Sequence, residues 1–187
     1  MLPSILCNLV LAVCAVAAGL AHTKTAPLRV VLRFFTALSN LLCAIAALAV
    51  AVCRLAGSVP DAVLILKYVG TSAVTVTMLT VLLFLGPTIG YGKLFSGPDL
   101  WLHLICPVLA IVSFLCWDKP DMSFGAVFLG MLPVPVYGVV YLYRVLFAPE
   151  EMRWQDFYGF NRGGKWLLSY AAMSVGAFIV SLVLWLL

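Results

Sequence analysis

Charge is what this chain lacks. Only 11 Lys and Arg and 7 Asp and Glu occur among 187 residues, 10% of the total, against 65% hydrophobic residues and a mean hydropathy of +1.16. A soluble domain is about a quarter charged. This chain has too little polar surface to cover itself in water, so lipid must be its solvent. Long polar connections are missing too, which excludes an independent soluble domain. Ten-residue segments of alternating polarity are absent, and with them the signature of a transmembrane barrel. No cation precedes the first apolar run, and Lys24 and Arg29 follow it. That order argues for a retained helix rather than a cleaved signal peptide. The six cysteines (Cys7, Cys14, Cys43, Cys53, Cys106 and Cys116) form no CxxC pair, and no histidine stands at zinc-ligand spacing. They read as small apolar packing residues, and no metal or other cofactor is expected. A net charge of +4 beside membrane helices needs no nucleic acid to explain it.

What is present is a series of six apolar runs: Pro3–Leu20, Leu32–Cys53, Val63–Leu85, Leu100–Trp117, Phe124–Leu146 and Trp166–Leu187. About 20 apolar residues cross the roughly 30 Å of hydrocarbon in a bilayer. Within it only a helix or a closed barrel satisfies its own backbone. The expected fold is all-α: one domain over residues 1–187, a bundle of six transmembrane helices. The connections after the first, third and fifth runs carry Lys24, Arg29, Arg33, Lys93, Arg144, Arg153, Arg162 and Lys165. Arg54 and Lys119 lie on the other side, with Lys67 just inside the third run. The positive-inside rule then puts the odd-numbered connections in the cytoplasm and both termini outside. Lys67, six residues from Asp61, is expected to snorkel to the opposite surface.

Histidine is rarer still, and only His103 stands inside an apolar run. An imidazole there is costly and marks a candidate site. Thr36, in RFFTALSN (33–40), is three residues past Arg33, and His103 is four past Asp99. At about 1.5 Å per residue, both lie within roughly 5–6 Å of the same membrane face. Thr36, Ser39 and Asn40 form one stripe at i, i+3 and i+4. The stripe reads either as interhelical glue or as the wall of a site, and Thr36 could instead bond back to the Leu32 carbonyl. Pro107 cannot donate to the carbonyl of His103, and its ring bends the helix there. This either opens a polar pocket or is an ordinary membrane-helix proline. The run SGPD (96–99) reads as a capping box.

Further along, Tyr137, Tyr141 and Arg144 share a face that could line a pocket; an aromatic belt with a snorkelling Arg144 is the alternative, and the better one for Tyr143 and Arg144. In the connection RWQDFYGFNRGG (153–164), Trp154, Phe157, Tyr158 and Phe160 would form either a mouth for an amphiphile or an interface anchor. Asp156 is the one acid there that could orient His103, as the third member of a triad does.

FFT–x–x–(S/T)N at the start of a span, with His103 in HLICPVLAIVSFL about 65 residues on and a tyrosine-rich fifth span, resembles the androgen-induced and androgen-dependent TFPI-regulating protein family and its bacterial multi-pass relatives. The resemblance covers roughly residues 30–165, and the loop WQDFYGFNRGG departs from the animal members. It implies an integral-membrane hydrolase of fatty-acid or lipid esters, with Thr36 as nucleophile, His103 as base, and membrane lipid and a small lipid ester as partners. Ser39, Asn40 or Tyr141 would supply the oxyanion donor. A small transporter or channel, with polar groups through the whole membrane thickness, and a non-catalytic scaffold are the competing readings.

Overall fold

The computed structural model describes all 187 residues. Six helices are long and apolar enough to cross a membrane: α1 (Leu2–His22), α2 (Phe35–Leu55), α3 (Asp61–Ile89), α4 (Pro98–Asp118), α5 (Gly125–Phe147) and α6 (Trp166–Leu186). No strand is present. The chain is an all-α, multi-pass integral membrane protein, as its composition requires. α3 stands at the centre and packs on α2, α4, α5 and α6; α1 lies against α2 and α4, and α5 pairs with α6. Close approach of α2 and α3 depends on Gly70, where an added Cβ would meet the Cys43 backbone at 2.9 Å.

Two helix ends differ from the limits that hydropathy sets. α2 starts at Phe35, not Leu32, because Leu28–Val31 forms a separate short turn and Phe34 is extended (φ −90°, ψ 133°). α3 runs four residues past Leu85 despite Pro87. The turn before that proline, Val81–Leu85, is a π-helix in which the Gly86 N–H reaches back five residues to the Val81 carbonyl. The Leu82 carbonyl therefore loses its usual donor, and the residue five further on is Pro87, which has no N–H. Tyr91 fills the gap, its hydroxyl donating to Leu82 O at 2.9 Å.

The same arrangement recurs in α4. Trp101–Ile105 is a π-turn, the Cys106 N–H donates to Trp101 O, and Pro107 follows. The Leu102 carbonyl thereby loses its usual donor, the Cys106 N–H. Asn40 on α2 takes that donor's place, Nδ2 to O 3.1 Å. Each proline is thus accommodated by one wide turn and one side-chain donor, which lipid could not supply. The expected capping box at 96–99 does not form. Gly97 precedes the helix with a positive φ of 54°, the Ser96 hydroxyl donates to Lys93 O, and Asp99 pairs with His22 at 3.2 Å.

At the far end of the bundle Lys67 is fully buried, which corrects the expectation that it snorkels. Its ammonium donates to Asn8 Oδ1 at 2.7 Å, and Asn8 Nδ2 donates to Asp118 Oδ2 at 2.7 Å. Ser4 and Arg54 both donate to Asp118 Oδ1. Lys67 finds an anion inside the bundle, relayed through Asn8, so its chain has no reason to turn outward. Asp118 is the one carboxylate of this network, paired directly with Arg54 and, through Asn8, with Lys67. Removing it strands buried positive charge, whereas removing Lys67 leaves the Arg54–Asp118 pair intact. Asp118→Ala is therefore expected to cost about 3–5 kcal/mol, and Lys67→Met about 1 kcal/mol or less. Unfolding midpoints in detergent micelles check the order, and a larger loss for Lys67→Met would refute it.

Candidate active site

Three segments converge where α2 begins. The first turn of α2 carries Thr36, the π-turn of α4 carries His103, and the segment Tyr91–Leu94 lies against the imidazole. Thr36 Oγ1 stands 3.5 Å from His103 Nε2. On the other side of the ring, Nδ1 lies 2.8 Å from the carbonyl oxygen of Leu94. A carbonyl can only accept, so Nδ1 carries the hydrogen. In the neutral ring Nε2 is then a bare lone pair aimed at Thr36. His103 is 7% exposed, and Thr36 is half-buried.

The polar stripe of α2 is divided in its duties. Asn40 donates through the same amide nitrogen to Thr36 O at 2.9 Å and to Leu102 O, so it ties the backbone of Thr36 to that of the residue before His103. Ser39 meets Thr77 of α3 at 2.9 Å and also reaches Thr36 O. Helices two and four, whose adjacency the sequence leaves open, are thereby joined beside the Thr36–His103 pair. Thr36 makes no bond to Leu32, which lies outside the helix.

The aromatic loop folds back onto this point. Tyr141 is fully buried under it, with ring centroids 5.0 Å from Phe157, 5.3 Å from Tyr158 and 5.4 Å from Phe160. Asp156 is not the partner of His103. Its carboxylate accepts the Tyr141 hydroxyl at 2.8 Å and the N–H groups of Phe160 and Asn161, so it organises the loop; the backbone of Leu94 holds the imidazole instead. Arg144 is turned away, its guanidinium 5.9 Å from the Trp154 ring, and Arg33 covers the same ring at 5.7 Å. Trp154 is thus an anchor sandwiched by cations, whereas Phe157, Tyr158 and Phe160 border the clefts around Thr36. Tyr137 also borders one, its hydroxyl fixed on Arg33 O at 2.7 Å.

Tyr158 has a role that residue pattern does not reveal. Its hydroxyl accepts the Phe35 N–H at 3.0 Å, capping α2 across the molecule, and it lies beside the side chain and backbone of Thr36. Burial pushes the phenol up to about 12, against the opposing pull of the Phe35 N–H. It stays protonated at physiological pH, with the Tyr137 and Thr36 side chains as its hydrogen-bonding neighbours. The Thr36 N–H, in the first turn of α2 where no carbonyl precedes it in register, also lies against the Tyr158 phenol oxygen, so the two groups stand together as donors at the start of α2. The sequence candidates for this duty are already engaged, Tyr141 on Asp156, Ser39 on Thr77 and Thr36 O, and Asn40 on two carbonyls.

No protein-family model, curated protein or solved structure matches this chain.

The clamp by Asn40 has a measurable signature. Asn40→Ala leaves Leu102 O without a donor, at about 0.6–1.7 kcal/mol for a membrane hydrogen bond. Pro107→Ala restores a backbone N–H at the same place. The cost of Asn40→Ala, measured by detergent unfolding, is expected to shrink when Pro107→Ala is already present; strict additivity would show that the two do not share one carbonyl.

Proposed function

We propose that the protein is an intramembrane hydrolase of lipid or fatty-acid esters, with Thr36 as nucleophile and His103 as general base and acid. The observation that carries this reading is the fixed tautomer: Leu94 O on Nδ1 leaves Nε2 unprotonated and directed at the one threonine hydroxyl beside it. A hydroxyl becomes a useful nucleophile only with such a base. The 3.5 Å separation is long for proton transfer and falls within the looseness of a resting site. The resemblance around FFT and His103 points the same way.

In this mechanism Nε2 takes the Thr36 proton as Oγ1 attacks the ester carbonyl carbon. Charge develops on the carbonyl oxygen, where the Thr36 N–H and the Tyr158 hydroxyl are its donors, helped by the positive end of the α2 dipole. The alcohol leaves with the proton held by His103. Water then attacks the acyl-threonine, with His103 again as base. Substrate and products are lipids, reached from the membrane and its interface. Reading cations by face, with Lys67 buried and removed from the count, we further propose that this end of the bundle faces the cytoplasm and both termini face outward.

A transporter needs a polar route across the membrane. Buried hydroxyls do run along α3 from Lys67 toward the site, at Thr71, Ser72, Thr75 and Thr77, yet beside them Leu11, Ala15, Cys43, Ala47, Val74 and Cys106 pack together. None of the three clefts near Thr36 reaches Lys67.

Thr36→Ala and His103→Ala are each expected to abolish ester hydrolysis and labelling by a fluorophosphonate probe, and the double variant to be no worse than either, since the two act as a unit. Labelling that survives both changes would sink the reading. Tyr158→Phe is expected to lower kcat about 10²-fold or more, as loss of one oxyanion donor does elsewhere, with KM little changed. A rise confined to KM would reassign Tyr158 to binding.

A further inference from the structure

Three clefts lie around Thr36, which borders two of them, and their walls differ in chemistry. The smallest, about 40 Å³, is bordered by Thr36, Thr77, Thr80 and Tyr137. Through Thr80, Phe160 and Met173 it adjoins a cleft of about 570 Å³ between α3 and α6, walled by Leu79, Leu83, Phe84, Ile179 and Val180. The third, about 340 Å³, lies at the interface and is bordered by Thr36, His103, Thr25 and the His22–Asp99 pair. Leu85 and Tyr158 border all three and so stand at their junction. Both large clefts have the size of a ligand site. Thr36 is shared between the small and interfacial clefts, but His103 borders the interfacial one alone.

We propose, resting on the hydrolase reading above, that Thr36 divides an ester into two arms: the acyl chain lies in the α3–α6 cleft and the alcohol in the interfacial cleft. The chemistry of proton transfer sets the direction. When Oγ1 bonds to the carbonyl carbon, the bond from that carbon to the alcohol oxygen breaks, and the departing oxygen must take the proton from Nε2. Only a group in the cleft that His103 borders can do so. The alcohol therefore leaves toward the interface. Water enters by the same cleft, gives one proton to Nε2 and its oxygen to the acyl carbon, and Thr36 recovers its hydrogen as the carboxylic acid is released. The acyl chain stays among apolar walls throughout, with Leu85 and Tyr158 marking where the arms part.

Chain length is then read between α3 and α6. Gly176 borders that cleft, and an added Cβ there meets nothing within 4 Å, so Gly176→Phe is the variant chosen to occupy the cleft. Ala172, one turn earlier on the same wall, is exposed and provides a second variant, Ala172→Phe, should the first fold poorly. The test uses the full chain in nanodiscs with two ester panels: 4-methylumbelliferyl esters of acyl length C4 to C16, and butyrate esters of alcohols of increasing size. The expected result for either α6 variant is a fall of tenfold or more in the C16 to C4 rate ratio, since even one excluded methylene is worth about tenfold. Thr25→Phe is expected to alter the alcohol ratios instead and to leave the acyl ratios as in the wild type. An α6 variant that changes alcohol ratios, or neither panel, overturns the assignment of arms while Thr36-dependent hydrolysis still stands. A wild-type protein whose hydrolysis does not depend on Thr36 overturns the hydrolase reading, and this inference falls with it.

Discussion

A carbonyl oxygen that loses its donor inside a bilayer has no water to turn to, and this constraint shapes the region around Thr36 and His103. Proline twice creates such an oxygen. In α3 the donor is recovered from the hydroxyl of Tyr91, and in α4 from the carboxamide of Asn40. The second repair does more than satisfy one group. Because the same nitrogen also holds Thr36 O, it couples the first turn of α2 to the wide turn of α4 at the residue before His103. Wide turns of this kind recur at functional sites because they move one side chain out of helical register without breaking the helix. Here the displaced register presents the imidazole edge-on, one nitrogen to Leu94 and the other to Thr36.

The two ends of the bundle are built on opposite principles. At the end of Asp118, charges are buried and closed among themselves, with Ser4, Asn8 and Arg54 all donating to one carboxylate and Lys67 joined through Asn8. At the end of Thr36 the polar groups are backbone, hydroxyl and phenol groups, and clefts remain open around them. A closed ionic end resists splaying of α1, α2, α3 and α4, while small residues such as Ala12, Ala15, Ala44 and Ala47 fill the middle. The end with unfilled space is therefore the one at which a ligand can be admitted without unpacking the helices.

Much of this was legible in residue order. The six spans, the common depth of Thr36 and His103, the stripe of Thr36, Ser39 and Asn40, and a disturbance at Pro107 all follow from spacing and helix direction. Other features carry no local mark. α2 begins at Phe35 because its cap is the hydroxyl of Tyr158, which lies 123 residues away, so hydropathy had no means of placing that end. The group that holds His103 is a backbone carbonyl, and every residue has one, which is why Asp156 looked like the better candidate. Lys67 was misjudged for a related reason. Its counter-charge sits on α4 and is reached through α1, and nothing within α3 announces either.

The neutrality of the Leu94 carbonyl bears on which substrates the proposed chemistry suits. In a serine triad a buried carboxylate holds the histidine and also stabilises the imidazolium that forms as the nucleophile attacks. A carbonyl holds the tautomer equally well but brings only a dipole to the charged state, and Asp156 is occupied elsewhere. In the proposed reaction His103 is therefore oriented by its partner but has no counter-charge beside it. An ester asks less of such a base than an amide, because its alkoxide leaves with less help from the proton that His103 must return. In the proposed reaction the Thr36 N–H and the neutral phenol of Tyr158 would act on the opposite side, where charge gathers on the carbonyl oxygen. Under the proposed chemistry, a site that favours the oxyanion over the imidazolium would suit acyl groups with good leaving oxygens, which a lipid bilayer supplies as esters.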